Sequence, residues 1–254
     1  MKMVLEPLIT GFVVALIMIL TCAFMIGCSD PLSVSLTDAD GRESHDDLPT
    51  YSPPADNYAV ATNPYRNYLV IIDEEHPYEF DGTYDKLLQG DLVYLSDVYG
   101  EPTPIEKATA CAFTELQYAL KEKGVEIGLL SAYRTKEDQQ WVVDHYRAED
   151  WTVQDPGLSE HHTGLLVDIL VKWPDPETGE LIWMTETPER SKKYSESSKV
   201  LHRTLADYGF IDRYPVGKEE ITGIMAMPNE IRFVGSSKVA HQIMDGNMAL
   251  EEYY

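Results

Sequence analysis

Pro156-Gly-Leu-Ser-Glu-His-His-Thr-Gly-Leu-Leu-Val-Asp-Ile-Leu-Val171 joins two signals in sixteen residues. A loop that opens on Pro-Gly and closes on Gly164 carries Ser159, His161 and His162. Directly after it, Leu165 to Val171 is an aliphatic run of strand character. With a side-chain period of two, Leu166, Asp168 and Leu170 share one face. An ionised Asp168 amid such a run is costly unless a cation or hydrogen bonds compensate it. His161 stands seven residues earlier, on a loop able to fold back beside the strand. Converging there, the two side chains make a candidate zinc site.

Outward from this block, Tyr68 to Ile72 reads as a short buried strand and Asp91 to Leu95 as a second extended piece. Pro104 to Lys123 predicts a helix, with Pro104 in its first turn, Ile105, Ala108, Ala112, Leu116 and Ala119 on its apolar stripe, and Gly124 as its stop. Val125 to Leu130 has strand character, Lys136 to about Ala148 reads as a polar helix, Ser195 to Tyr208 as a helix ended by Gly209, and Ile231 to Val234 as a last strand. Helices and strands alternate loosely without a Gly-rich phosphate loop, which favours an α+β fold over a doubly wound nucleotide-binding one.

The 254 residues carry 20 Lys and Arg against 43 Asp and Glu, a formal charge of −23. Phosphate neutralisation needs clustered cations, so no nucleic-acid partner is expected. Three cysteines, Cys22, Cys28 and Cys111, are too few and too scattered for a thiolate cluster, which leaves histidines and carboxylates to hold any metal. Pro7 to Gly27 is uncharged, apolar and long enough to span a bilayer. Residues 1–28 are therefore read as a transmembrane anchor or, because Met25-Ile-Gly-Cys28 resembles a lipobox, as a lipoprotein signal with a lipidated Cys28. Residues 29–63 are acidic and rich in Ser, Thr and Pro, and read as a solvated linker. Either N-terminus implies an extracytoplasmic domain, residues 64–254, tethered to the membrane.

Three further blocks extend the central one. Ser131-Ala-Tyr-Arg-Thr135 is followed by Gln139, and Tyr208-Gly-Phe leads to Arg213-Tyr-Pro215 and then to Ile221-Thr-Gly223. Together with Ser159-x-His161-x6-Asp168, they resemble the VanY-type D-alanyl-D-alanine carboxypeptidases over about residues 65–254. The resemblance implies a small antiparallel sheet with flanking helices and a zinc peptidase that trims terminal D-Ala from peptidoglycan stem peptides. It further implies that His161 and Asp168 are metal ligands, that Arg134 stabilises the oxyanion at the scissile carbonyl, and that Ser159 and Gln139 help place the substrate. A fixed guanidinium where negative charge develops is the right chemistry for the Arg134 role.

The last motif of that family usually reads Glu-Pro-Trp-His, then an aromatic, then Arg-Tyr-Val-Gly, its Glu being the general base and its His the third ligand. Here the matching stretch is Met227-Pro-Asn-Glu-Ile-Arg-Phe-Val-Gly235. Met227 stands at the base position and Glu230 at the ligand position. A His161, Asp168 and Glu230 set shifts preference from zinc toward harder ions such as Mn. A thioether accepts no proton from an attacking water, so a second reading keeps the fold and peptide groove as a non-catalytic binding or regulatory module. His162 is expected to face solvent, because neighbours on an extended segment point opposite ways. Leu166 adds bulk on the Asp168 face, Glu219 and Glu220 are expected in a solvated turn, and Cys111 in the core.

Overall fold

The structure, a computed structural model, describes residues 61–147 and 153–253. The expected anchor of residues 1–28 and all but the end of the expected linker lie outside them. Among the described residues no helix is long and apolar enough to cross a membrane.

In chain order the elements are α1 (Thr83–Asp91), β1 (Leu92–Ser96), β2 (Pro102–Glu106), α2 (Lys107–Glu122), β3 (Ile127–Ser131) and α3 (Lys136–Tyr146). A 3₁₀ turn (Glu160–Thr163) precedes β4 (Leu166–Pro174) and β5 (Leu181–Thr185). Then come α4 (Pro188–Lys193), α5 (Ser195–Leu205), β6 (Phe210–Tyr214), α6 (Glu219–Thr222), β7 (Met227–Phe233) and α7 (Ser237–Asp245). β1 and β2 form a separate hairpin. The main sheet has five strands in the order β3-β4-β7-β6, with β5 also paired to β4, and every pairing is antiparallel. The α+β fold expected from the sequence is the one observed.

β4 is the hub. Its first residues, Leu166 to Asp168, pair with β7, and its last, Leu170 to Pro174, pair with β5. Asp168 therefore sits where the β7 pairing ends and the strand neighbour changes. The Val167, Ile169 and Val171 side chains are fully buried on the other face. On that side Phe113 of α2 meets Phe210, which meets Phe233, in edge-on and tilted ring contacts. Burying such rings is the main driving term for docking α2 on the sheet.

Two local expectations fail for identifiable reasons. Pro104 lies in β2, opposite Tyr94, and not in the first turn of a helix. α2 begins only at Lys107, because Glu106 caps it, accepting the Thr109 N–H at 2.7 Å and the Thr109 hydroxyl at 2.8 Å. Tyr68 to Ile72 forms no strand. Its Tyr68 and Val70 carbonyls accept from the Arg232 guanidinium at 3.1 and 2.9 Å, so a buried side chain takes the place of a strand neighbour.

Candidate metal centre

The antiparallel register sets Asp168 of β4 directly opposite Glu230 of β7. Two like charges facing each other across a sheet repel, and this pair calls for a cation or a proton. His161 arrives from the 3₁₀ turn. Ser159 caps that turn, its hydroxyl accepting the His161 N–H at 3.4 Å, and Gly164 ends it in a left-handed conformation, φ 69°. A Cβ at Gly164 would meet the Glu106 backbone nitrogen at 3.2 Å, so both the turn and the close approach favour glycine.

The His161 ring is oriented from behind. Its Nδ1 donates to the Ala132 carbonyl at 2.5 Å, which in the neutral ring leaves the Nε2 lone pair facing Asp168 Oδ2, 3.4 Å away. Donor atoms of His161, Asp168 and Glu230 all lie within 4.8 Å of one another, and no other such group occurs among the described residues. Asp168 Oδ1 is buried with no hydrogen-bond partner. Burial, reinforced by the Asp168 charge, pushes the Glu230 carboxyl well above the usual carboxylate range. Burial would also raise Asp168, but the neighbouring His161 imidazole and the Arg134 guanidinium, both within reach of Oδ2, outweigh it and hold that carboxyl low. An orphaned oxygen, a strained carboxylate pair and an oriented imidazole are a donor set that fits a divalent cation.

Arg134 borders the same space. Its guanidinium donates to Asp168 Oδ2 at 2.5 Å, to Ser131 Oγ at 2.9 Å and to Gln139 Oε1 at 3.4 Å. Gln139, the fourth residue of α3 and the first on that helix to be buried, donates to the Gln154 carbonyl at 2.8 Å. Ser159 is buried at the start of the His161 turn. Arg134, His161, Asp168 and Glu230 are thus brought together, with Gln139 supporting Arg134 and Ser159 supporting His161. Met227 lies at the start of β7, opposite Tyr214. Leu166 is buried, Glu219 and Glu220 are exposed on α6, and Cys111 is buried on α2.

His162 does not face solvent as expected. It is fully buried, packed against the Tyr78 and Phe80 rings, and bonded at both nitrogens: Nδ1 donates to the Arg134 carbonyl at 2.8 Å and Nε2 accepts the Gly157 N–H at 3.0 Å. The 3₁₀ turn, unlike an extended segment, allows both histidines to point inward. Together they stitch the turn to the Arg134 loop, since the Arg134 N–H in turn donates to the His161 carbonyl at 3.2 Å. Glu160, Arg213 and Arg232 all fall inside the sequence blocks quoted above, but sequence reasoning gave none of them a role. The available signal was two arginines inside apolar strand segments, which require buried acids.

Residues 103–236 match the family described as VanY: D-alanyl-D-alanine carboxypeptidase. The chain belongs to this family. YodJ of Bacillus subtilis (strain 168) is 30% identical over 207 residues, covering 78% of this chain and 71% of its own length. The solved structure of a vancomycin-resistance D,D-pentapeptidase VanY mutant from a VanB-type cassette, in complex with Zn(II), is 28% identical. It superposes with a TM-score of 0.54 over 74% of this chain and 99% of that one. VanYB in complex with D-alanine-D-alanine is 28% identical, with a TM-score of 0.52 over 73% of this chain and 96% of that one.

Proposed function

We propose that this VanY-family protein is a metal-dependent carboxypeptidase that removes terminal D-Ala from peptidoglycan stem peptides. In this reading residues 64–254 are the catalytic domain, held at the outer face of the membrane by residues 1–28 through the linker 29–63. The observation that carries the reading is the convergence of His161, Asp168 and Glu230 beside Arg134, within the fold of relatives crystallised with Zn(II) and with D-Ala-D-Ala.

His161, Asp168 and Glu230 hold the ion, zinc or a harder ion such as Mn, which when bound supplies Lewis-acid polarisation of the scissile carbonyl. Arg134, fixed by Ser131 and Gln139, presents a preorganised positive charge to the oxyanion. Such a donor contributes about 3 kcal/mol to transition-state stabilisation. Ser159 and Gln139 act by keeping His161 and Arg134 in place. Met227 accepts no proton, and a carboxylate base typically contributes about 10²- to 10⁴-fold, so turnover is expected to be slow.

The test uses the full chain in detergent, with metal content by elemental analysis and D-Ala release from a pentapeptide ending in D-Ala-D-Ala measured on one preparation. Stoichiometric metal and turnover that disappears in Glu230→Ala support the proposal. A metal-free protein that binds the pentapeptide without cleaving it overturns it in favour of a binding module.

A further inference from the structure

Glu160, between the Ser159 cap and His161, is 1% exposed and carries a full set of charged partners. Its Oε1 accepts from Arg213 of β6 at 2.7 to 2.8 Å, and its Oε2 accepts from Arg232 of β7 at 2.9 Å. Arg232 stands two residues from Glu230 on the same strand face, and its remaining N–H groups reach the Tyr68, Val70 and Phe233 carbonyls. Arg213 spends its other edge on Glu251 near the C-terminus, at 2.7 and 3.2 Å. Both carboxylates and both guanidiniums are therefore paired inside the protein. Two opposing arginines outweigh burial and hold the Glu160 carboxyl below its ordinary range.

A buried ion network of this kind is weak evidence for stability, because desolvation offsets much of its attraction. Its geometry is more telling. One carboxylate fastens the residue beside His161 to the strand that carries Glu230, through a bond between residues 72 positions apart in the chain, and so fixes the distance between two side chains contributed by separate segments. We propose that Glu160 is a positioning residue of the metal centre: through Arg232 and Arg213 it sets the separation of His161 from Glu230. The inference rests on the metal reading above and adds to it a residue that touches neither ion nor substrate.

The experiment compares Glu160→Gln with Glu251→Gln in the full chain. Both changes take a carboxylate from Arg213, but only the first releases the His161 turn. Three quantities are read: the urea midpoint, the affinity for Zn²⁺ and for Mn²⁺ by titration calorimetry, and the ¹⁵N-histidine signal of the His161 Nδ1 proton that donates to Ala132. Glu160→Gln is expected to weaken ion binding about 10- to 100-fold, as loss of outer partners does at metal sites, and to broaden the Nδ1 proton. Glu251→Gln is expected to lower the urea midpoint while leaving both ion affinity and that proton signal in place.

Equal ion affinity in Glu160→Gln and the parent chain, or an equal loss in Glu251→Gln, overturns the proposal. If Glu160→Gln fails to fold, Arg232→Lys serves instead, since a single ammonium keeps the charge without the fork, and the same weakening is expected. If the parent chain binds neither ion, the metal reading fails on its own. The Nδ1 signal then still decides whether Glu160 positions His161.

Discussion

Two clusters in this molecule each contain one imidazole and two carboxylates, and they differ in what the ring nitrogens do. His202 of α5 lies between Asp212, 2.6 Å from Nδ1, and Glu186, 3.2 Å from Nε2, with Ser198 and Ser191 also donating to Glu186. Each ring nitrogen faces a carboxylate that pairs with no guanidinium or ammonium among the described residues, so both nitrogens carry protons and the ring is a cation. Burial alone would lower its pKa, but the two carboxylates push it up to about 10. At the candidate metal centre, by contrast, the His161 Nδ1 is bound to a neutral carbonyl, Arg134 already holds Asp168 Oδ2, and Asp168 and Glu230 confront each other. Each cluster leaves one buried carboxylate oxygen without a hydrogen bond, Glu186 Oε2 and Asp168 Oδ1. The lesson is that residue content does not make a metal site. A ring closed by two carboxylates supplies its own cation, whereas a ring closed by a carbonyl leaves a lone pair and two acids for an ion from outside.

The sharpest way to break this comparison is the same isosteric change in both clusters. Asp168→Asn removes a ligand charge and leaves Arg134 without its partner. It is expected to lower Zn²⁺ affinity by more than about 100-fold, beyond the loss typical of outer-shell changes, and to abolish D-Ala release. Asp212→Asn should leave ion affinity unchanged and register only in the urea midpoint. Calorimetric titration of the two variants side by side checks this, and equal losses of ion binding would erase the distinction.

A second change asks whether the centre lacks only its base. The double variant Met227→Glu with Glu230→His installs the acid and the imidazole usual at these positions in the family. Release of D-Ala is expected to rise by about 10²- to 10⁴-fold, the range a positioned general base contributes. No gain with metal bound would place the deficit elsewhere, in the substrate groove or in the Arg134 to Asp168 contact. Met227 pairs with Tyr214, whose phenol is kept neutral by burial, so a glutamate there enters a partly enclosed setting that favours a raised carboxyl pKa.

These residues also mark how far sequence reasoning reaches. Asp168 and His161 were legible in two steps: a period of two exposes an acid on an apolar face seven residues after a histidine, a weak signal alone, and the Ser-x-His-x6-Asp resemblance to the family gave the pair its role. Glu230 became legible only through the motif, since its pairing with Asp168 is a matter of strand register. The Glu160 clamp and the His202 bridge were not legible. Their partners lie 53 and 72 residues away in the first case and, in the second, in the segment before α4 and within β6, where helices and strands from separate segments meet. Tyr68 to Ile72 shows the same limit in reverse. Its composition is right for a strand, but the carbonyls that would build one are claimed by Arg232.

The closed cluster predicts a mutational effect on stability without one on chemistry. His202→Leu leaves Glu186, which is fully buried, and Asp212 without their cation. Removing one partner of a buried pair typically costs about 3 to 5 kcal/mol, and the urea midpoint at pH 7 should fall accordingly. D-Ala release per folded molecule should be unchanged. A parallel loss of ion affinity would mean that the two clusters communicate through β6 and β7.

The smallest effect is the pH dependence that this same closure implies. The folded pKa of His202 is raised to about 10 from an unfolded value near about 6.5, so its contribution is complete below the unfolded value and is lost as pH rises through 10. Glu186 works in the opposite sense. Burial would raise it, but the bonds from His202, Ser198 and Ser191 hold it low, and its contribution is present above the ordinary glutamate value and lost as pH falls. The two overlap around neutrality. Lys199, Arg203 and His241 line a surface cleft together with His202, so the raw drop in stability from pH 7 to pH 10 does not belong to one group and is not diagnostic. The difference between the parent chain and His202→Leu is. The parent should lose more of its urea midpoint over that interval than the variant. Parallel curves would mean that the imidazole is not held as a cation, and that the contrast with His161 lies in geometry rather than in charge.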